Sequence, residues 1–472
     1  MTRGYRASVP RRHHAGTPRR ELDRRVDRQI LALAVPAFLA LVAEPLFLLA
    51  DAAIVGHLGT AELAGLGVAS VVLRLVVGLC VFLAYATTAA VARQLGAGQR
   101  RAALQQGVDG LWLAALVGGV MTVLGLLVTD PVVALFDPGD AVEEAASTYL
   151  SLAWLGLTPM LLVLAATGVL RGLADTRTPL AVAVAASLAN VVLNVVLVYG
   201  LDLGVAGSAI GTDLAQLGAA VALVGVVLRL ARREGASLRP DAPGVRRSAR
   251  AGGPLLIRTL SLQACLVAMT WCAAGLGATA TASHQVATAV WSFLAYALDA
   301  VAIAAQTITG TALGAGDAVL TRQATDRMVR IGLVSGVVTG ILLALVAPIL
   351  GPLFTDDPEV VDLLGDVLLV AALFQPLAGV VFVLDGVLIG AGDGRYLAWA
   401  GTLVTALFLP AAVLVARGAS DQGSGLVWLW VVFGAVFIGG RAVVLVLRAR
   451  TDRWMVLGSV AADGGSSEDR RG

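Results

Sequence analysis

Twelve runs of about 20 or more apolar residues, each closed by a short polar break, leave this chain few ways to fold. They cover residues 30–54, 63–92, 103–129, 146–170, 178–200, 205–230, 254–275, 281–312, 324–348, 360–389, 396–416 and 425–448. Such a run, rising about 1.5 Å per residue as an α-helix, crosses the roughly 30 Å hydrocarbon core of a bilayer. Within lipid every backbone amide and carbonyl must be satisfied by the structure itself, which leaves helices and closed barrels. Barrel strands would alternate polar and apolar residues, and these runs do not. Composition closes the remaining escape: 58% of the 472 residues are hydrophobic and 14% charged, against about 45–50% and about 25% in soluble domains. The sequence therefore predicts an all-α polytopic membrane protein with twelve transmembrane helices.

The 34 cationic residues are all arginine, and they fall in alternate loops. Arg93, Arg100 and Arg101, then Arg171 and Arg177, then the stretch from Arg232 to Arg250, Arg322 and Arg327, Arg395, and finally Arg450 and Arg453 occupy one side. Asp130, Asp137, Asp140, Glu143, Glu144, Asp356, Asp357 and Glu359 occupy the other, with Arg417 the exception. The positive-inside rule then predicts both termini in the cytoplasm and a cytoplasmic-membrane location. The first run is too long for a cleaved leader and reads as a retained span. The expected parts are a basic cytoplasmic arm over 1–29, a first lobe over 30–230, a cytoplasmic linker over 231–253, a second lobe over 254–448 and a disordered tail over 449–472. Arginines distributed by loop do not predict a nucleic-acid partner. Cys80, Cys265 and Cys272 lie inside apolar runs, without metal or redox spacing, and read as packing residues.

The second half repeats the first at a single offset. Pro36 lies over Pro254 (254 less 36 is 218), Leu58-Gly59 over Leu276-Gly277, Leu95-Gly96-Ala97-Gly98 over Leu313-Gly314-Ala315-Gly316, Leu135-Phe136 over Leu353-Phe354, and Gly172 and Asp175 over Gly390 and Asp393. Six spans per repeat is an even number, so both copies share one orientation. The prediction is two parallel six-helix lobes related by a pseudo-two-fold axis along the membrane normal, with a cleft between them.

Polar residues within the spans are the first candidates for function, because a charge at the bilayer centre costs about 2.5–3.5 kcal/mol. Glu44 and Asp51, seven apart, share a face of the first span near Pro36 and Pro45. Ser187, Asn190 and Asn194 share a face of the fifth, and Ser208, Thr212 and Gln216 a face of the sixth. Depth counted along the helices brings Asp51, Asn190, Asn194 and Thr212 together in the outer half, a set able to hold a proton or a hard cation. The bland alternatives are an interfacial Asp51 and asparagines that only join helices. Adding 218 to Asp51, Asn190 and Asn194 lands on Met269, Phe408 and Ala412, so the second lobe has no copy of the cluster. Its own polar residues, Gln263, Asp299, Gln306 and Asp385, with Glu44 from the first lobe, are candidates for lining the cleft; Asp385 also suits a cap or an ion pair. His284 and Gln375 are further buried-polar oddities, and Arg74 and Arg258 are cationic partners that sequence alone does not pair. His57, in a short outside loop, reads as structural or solvated.

The first span's ending Asp51-Ala-Ala-Ile-Val-Gly-His-Leu-Gly59, the loop Leu170-Arg-Gly-Leu-Ala-Asp-Thr-Arg-Thr-Pro179, the repeated Leu-Gly-Ala-Gly and the two sets of six spans resemble the multidrug and toxic compound extrusion (MATE) family over about residues 25 to 450. Arg258-Thr-Leu260, Tyr296-Ala-Leu-Asp299 and Leu384-Asp-Gly-Val-Leu-Ile-Gly390 look like its DinF-like branch. The resemblance implies a cation site on Asp51, Asn190, Asn194 and Thr212. Where some members carry an aspartate, this chain has Asn194, and one carboxylate in place of two favours H+ over Na+. A second acid pair of another branch survives only as Gln263 and Asp385.

These readings predict a secondary antiporter, not an enzyme, that exports organic, cationic, amphipathic compounds in exchange for H+ or, less favoured, Na+. It needs no cofactor or structural metal and works as a monomer in the lipid bilayer. No phosphate-cradling Gly-Lys-Ser/Thr loop is present. A lipid-linked oligosaccharide flippase would want a cationic cleft, for which only Arg74 and Arg258 speak. An intramembrane transferase would want a His/Asp or Ser/His cluster, which His284 alone does not make. A purely structural scaffold would not require acids within the spans.

Overall fold

The computed structural model describes residues 19–137, 139–419 and 421–459, leaving out the side chains of residues 19–23, 25, 44 and 47. Among the described residues twelve helices are long and apolar enough to cross a membrane, and each contains the run the sequence predicts. They are α1 (Arg19–Gly56), α2 (Thr60–Gly96), α3 (Arg100–Ala134), α4 (Asp140–Gly172), α5 (Arg177–Gly200), α6 (Gly204–Arg233), α7 (Ala242–Leu276), α8 (Ala278–Gly314), α9 (Ala318–Phe354), α10 (Pro358–Ala391), α11 (Gly394–Gly418) and α12 (Gln422–Arg450). Large apolar side chains such as Leu46, Leu127, Val221, Leu345 and Leu414 stand exposed around the bundle, as they do when the surrounding solvent is lipid.

The repeat is visible in the backbone. Gly98 and Gly316, 218 apart, both turn at φ +75°, and Ala174 and Gly392, also 218 apart, turn at +62° and +73°. The two halves meet reciprocally where α2 crosses α8. A Cβ on Gly96 would lie 2.0 Å from the Thr311 carbonyl, and one on Gly314 would lie 2.0 Å from the Arg93 carbonyl. Position 93 is to 311 as 96 is to 314, so the contact is isologous and marks where the pseudo-two-fold axis passes. Because lipid offers no hydrophobic drive for helix association, small residues must supply close packing. Gly332, Gly336 and Gly340 do so as one stripe of α9, lying against the main chain of α10 at Gly379, Gln375 and Ala372.

Three segments outside the expected spans also carry structure. The linker over 231–253 is mostly helical: α6 runs to Arg233 and α7 starts at Ala242, with the Asp241 carboxylate accepting from the Gly244 amide and Pro243 in the first turn. Arg246, Arg247 and Arg250 lie on the exposed side of that amphipathic start. The basic arm over 1–29 is helical from Arg19, and Asp27 accepts from Arg327 on α9 at 2.6 and 2.8 Å; residues 1–18 lie outside the described residues. The tail expected to be disordered over 449–472 is anchored in its described part, although Thr451, Asp452, Arg453 and Leu457 are exposed. Trp454 is 0% exposed, the Gly458 amide donates to the Leu313 carbonyl at 2.9 Å, and residues 460–472 lie outside the described residues.

Candidate functional site

Asp51, five residues before the end of α1 and 2% exposed, is the centre of a polar cluster within the first lobe. Its Oδ1 accepts from Ser208 Oγ at 2.5 Å and from Asn194 Nδ2 at 2.7 Å, and its Oδ2 accepts from the Tyr149 hydroxyl at 3.4 Å. Asn194 Nδ2 also donates to Asn190 Oδ1 at 3.2 Å, and Asn190 Nδ2 donates to Thr212 Oγ1 at 3.0 Å. Four helices, α1, α4, α5 and α6, therefore converge on one carboxylate.

The local sequence explains the convergence. Asn190 and Asn194 are one turn apart on α5, and Ser208 and Thr212 one turn apart on α6, so each pair presents one face. The two helices can approach because α6 carries Gly207 and Gly211 beside that face. A Cβ on Gly207 would lie 2.8 Å from the Leu197 main chain, and one on Gly211 would lie 2.0 Å from Asn194 Oδ1. That oxygen is buried without a hydrogen-bond partner in the structure. Downstream of Asn194, α5 ends in a wide π turn over Val196–Gly200.

The structure thus brings together all four residues expected to form the cation or proton site, although Thr212 reaches Asp51 through intervening side chains, Asn190 and Asn194 among them, and not directly. Two further groups belong to the cluster: Ser208, whose face the sequence marks, and Tyr149, which sequence reasoning missed. The repeat carries the missing signal, since 218 beyond Tyr149 and Ser208 lie Val367 and Leu426, apolar like Met269, Phe408 and Ala412. Asp213, next to Thr212, was also passed over; its carboxylate fills the space left by Gly156 on α4.

The cleft candidates separate. Asp299 and Gln306 on α8 both bind Tyr85 of α2, across the boundary between lobes. The tyrosine hydroxyl donates to Asp299 at 3.4 Å, and Gln306 Nε2 donates to the Tyr85 carbonyl at 2.6 Å. Gln263 on α7 stands opposite Gly78 of α2, its Nε2 3.3 Å from where a Cβ would lie. Asp385 lies instead inside the second lobe, its Oδ2 accepting from both Arg258 and Arg441. Crossing helices set that pairing, which no spacing within one helix reveals. The side chain of Glu44 lies outside the described residues. Arg74 is exposed, and His284 is buried beside the Thr270 and Thr288 hydroxyls at 3.3 and 3.4 Å. The three cysteines are buried and unbonded to one another.

A family model described as MatE matches the chain twice, over residues 36–196 and 254–414, two segments related by the same offset of 218. Among similar proteins, Protein DETOXIFICATION 44, chloroplastic, of Arabidopsis thaliana is 32% identical over 80% of this chain and 75% of its own length. DNA damage-inducible protein F of Escherichia coli is 29% identical over 81% of this chain and 86% of its own. Of solved structures, the bent form of the Vibrio cholerae MATE transporter VcmN superposes with a TM-score of 0.82 at 21% identity, covering 91% of this chain and 98% of that one. A MOP superfamily transporter from Pyrococcus furiosus, described as having a binding pocket of reverse polarity, superposes at 0.80 with 22% identity, covering 93% and 98%. The doubled match, the two lobes of six helices and the relatives agree: the chain belongs to the MatE family of multidrug and toxic compound efflux transporters, multi-pass membrane proteins that are not enzymes.

Proposed function

We propose that this transporter exports organic, cationic and amphipathic compounds across the cytoplasmic membrane in exchange for inward protons, with Asp51 carrying the proton. The reading rests on one observation: a carboxylate 2% exposed at the meeting of four helices, with three donors turned onto it. Burying the charge alone would cost about 2.5–3.5 kcal/mol, and each hydrogen bond to a charged group offsets about 1.5–3 kcal/mol. Burial disfavours the charged form and the donors favour it, so neither effect alone fixes the protonation state, as a carrier requires. A sodium ion would need several oxygen ligands. Here one carboxylate is surrounded by donors, and Asn190 Oδ1 already accepts from Asn194, an arrangement that suits H+ better.

Coupling follows from what the donors hold. Ionised Asp51 draws Ser208 of α6 and Asn194 of α5 toward α1; protonation removes much of that pull and changes the relative stability of the arrangements the helices can take. One net charge moving inward through about 100 mV supplies about 2.3 kcal/mol, enough for a roughly 45-fold gradient, whereas exchange of one proton for one monovalent cation draws on the pH gradient alone. Substrate would occupy the cleft between a lobe over 30–230 and a lobe over 254–448, bordered by Gln263, Asp299 and Gln306. The arginine-bearing loops support a cytoplasmic location for both termini and the segment around Arg239, and one chain holding both lobes supports a monomer. Surface labelling checks the orientation: a cysteine at Asp140 should react with an impermeant external reagent and one at Asp241 should not.

Proteoliposomes test the coupling. Efflux of an organic cation should follow an imposed pH gradient and ignore a sodium gradient. Asp51→Asn, which keeps shape and hydrogen bonding but not the titratable charge, should insert normally and fall to background. Gradient-driven efflux retained in a correctly inserted Asp51→Asn protein would overturn the assignment.

A further inference from the structure

The second lobe carries a charged cluster that the proposed proton site does not use. Arg258 of α7 and Arg441 of α12 both donate through Nη2 to the same oxygen of Asp385 on α10. All three side chains are almost wholly enclosed, and they line one pocket with Ser261 and Thr405. The two guanidiniums offer ten N–H bonds between them, and the Arg258 Nε is buried without an acceptor. The next charged groups, Arg171 and Asp299, do not restore neutrality: three arginines face two aspartates. An uncompensated positive charge inside a lipid-embedded lobe is costly. The fold does not demand it, because the positions 218 earlier, Ala40, Thr167 and Leu223, carry no charge.

From this geometry we infer that the pocket between α7, α10, α11 and α12 binds one oxyanion, a carboxylate or phosphate group, whose oxygens take the free N–H donors of Arg258 and Arg441 while Asp385 holds the two guanidiniums apart. Guanidinium groups match carboxylate and phosphate geometry and are the side chains best suited to this task. The site lies toward the arginine-rich end of the bundle: Asp385 is six residues before the end of α10 and Leu397, which also lines the pocket, three after the start of α11. At about 1.5 Å per residue that is within about 10 Å of the helix ends. Two sources can reach that depth, an acidic solute and the headgroup of an anionic lipid, and they share the chemistry.

The test uses the purified full-length protein in two arms. In neutral detergent, the unfolding midpoint is followed against sodium phosphate and sodium acetate, with sodium chloride at matched ionic strength as the control. In phosphatidylcholine nanodiscs, it is followed with and without phosphatidylglycerol. Arg441→Gln removes half of the cation pair. Gly401→Leu fills the pocket and leaves every charge in place; the nearest atom to a Cβ there is 3.7 Å away, so the first carbon fits. The expected result is a saturable stabilisation of the unaltered protein whose apparent affinity falls about tenfold or more in both variants, the loss of about one charge-assisted hydrogen bond. Response to soluble oxyanions alone assigns the site to a solute, and response to phosphatidylglycerol alone assigns it to lipid. No response beyond chloride and phosphatidylcholine, or an undiminished response in Gly401→Leu, overturns the inference whether or not Arg441→Gln folds.

Discussion

Asp51, Tyr149, Asn190, Asn194, Ser208 and Thr212 differ in chemistry from every one of their counterparts, Met269, Val367, Phe408, Ala412, Leu426 and Trp430. Where the first lobe holds a hydrogen-bonded carboxylate, the second packs Phe408 and Trp430 against Phe433 with ring centroids 6.2 and 5.7 Å apart. One fold accepts either filling, which supports the functional role proposed for the polar residues. Asp51, Asn190 and Asn194 were legible in the sequence because amides and acids are rare in apolar runs. Ser208 was marked only through the face it shares with Thr212 and Gln216, and Tyr149 was not legible, because a tyrosine in a span is common and only subtraction of the repeat makes it stand out. Their bond lengths rank their roles. Ser208→Ala removes a 2.5 Å bond to Asp51 and Tyr149→Phe a 3.4 Å one. Proton-driven efflux should therefore fall about tenfold or more in the first and less than about threefold in the second, within the range measured for bonds to charged groups. Equal losses would show that bond length does not rank these donors, and no loss in either variant would show that the site does not depend on them.

Among the elements, every span was legible, because some twenty apolar residues admit one solution in lipid. The start of α7 and the segment after α12 were not. The first depends on an aspartate cap in a polar stretch, and the second on Trp454 finding a buried seat that no periodicity announces. Helix contacts rest on small residues, and α9 against α10 shows it along several turns. A Cβ on Gly336 would lie 2.4 Å from the Gln375 carbonyl and 2.7 Å from the Pro376 Cα, both main-chain atoms that cannot swing aside. Gly336→Val should force the two helices apart and cost about 1–3 kcal/mol, read as a lowered unfolding midpoint in detergent. Gly119→Val, on α3 with open space around its Cβ, is the matched control and should change the midpoint little. A Gly336→Val protein as stable as its control would show that the crossing is looser than the main-chain contacts imply.

Across the whole molecule, contacts between the lobes concentrate at the arginine-rich end. Gly96 and Gly314 touch the opposite main chain there, and Asp27 holds Arg327. Arg93, 2% exposed, gives its guanidinium entirely to main-chain carbonyls among its described partners: Ala391 at the end of α10 at 3.0 Å, Gly458 at 2.9 Å, and Val456. The last two belong to the segment after α12 that also buries Trp454, so one residue of the first lobe fastens both the second lobe and its terminal strap. The axis-related position of Arg93 is Thr311, whose hydroxyl bonds its own helix at the Thr307 carbonyl. The fastening is therefore one-sided, added to a symmetric crossing. Alternating access requires these lobes to part at this end, and every bond that holds them together biases the population toward the closed arrangement. Arg93→Ala removes three bonds to the second half and should shift that population by about tenfold or more, since each charged bond is worth about 1.5–3 kcal/mol. Spin labels at Gln99 and Val319, both exposed beside the crossing, give the readout: the variant should gain a longer-distance population absent from the unaltered protein. Trp454→Ala should move the same distribution in the same direction, because it loosens the strap without touching Arg93. Unchanged distances in both variants would show that the Gly96–Gly314 crossing alone closes this end.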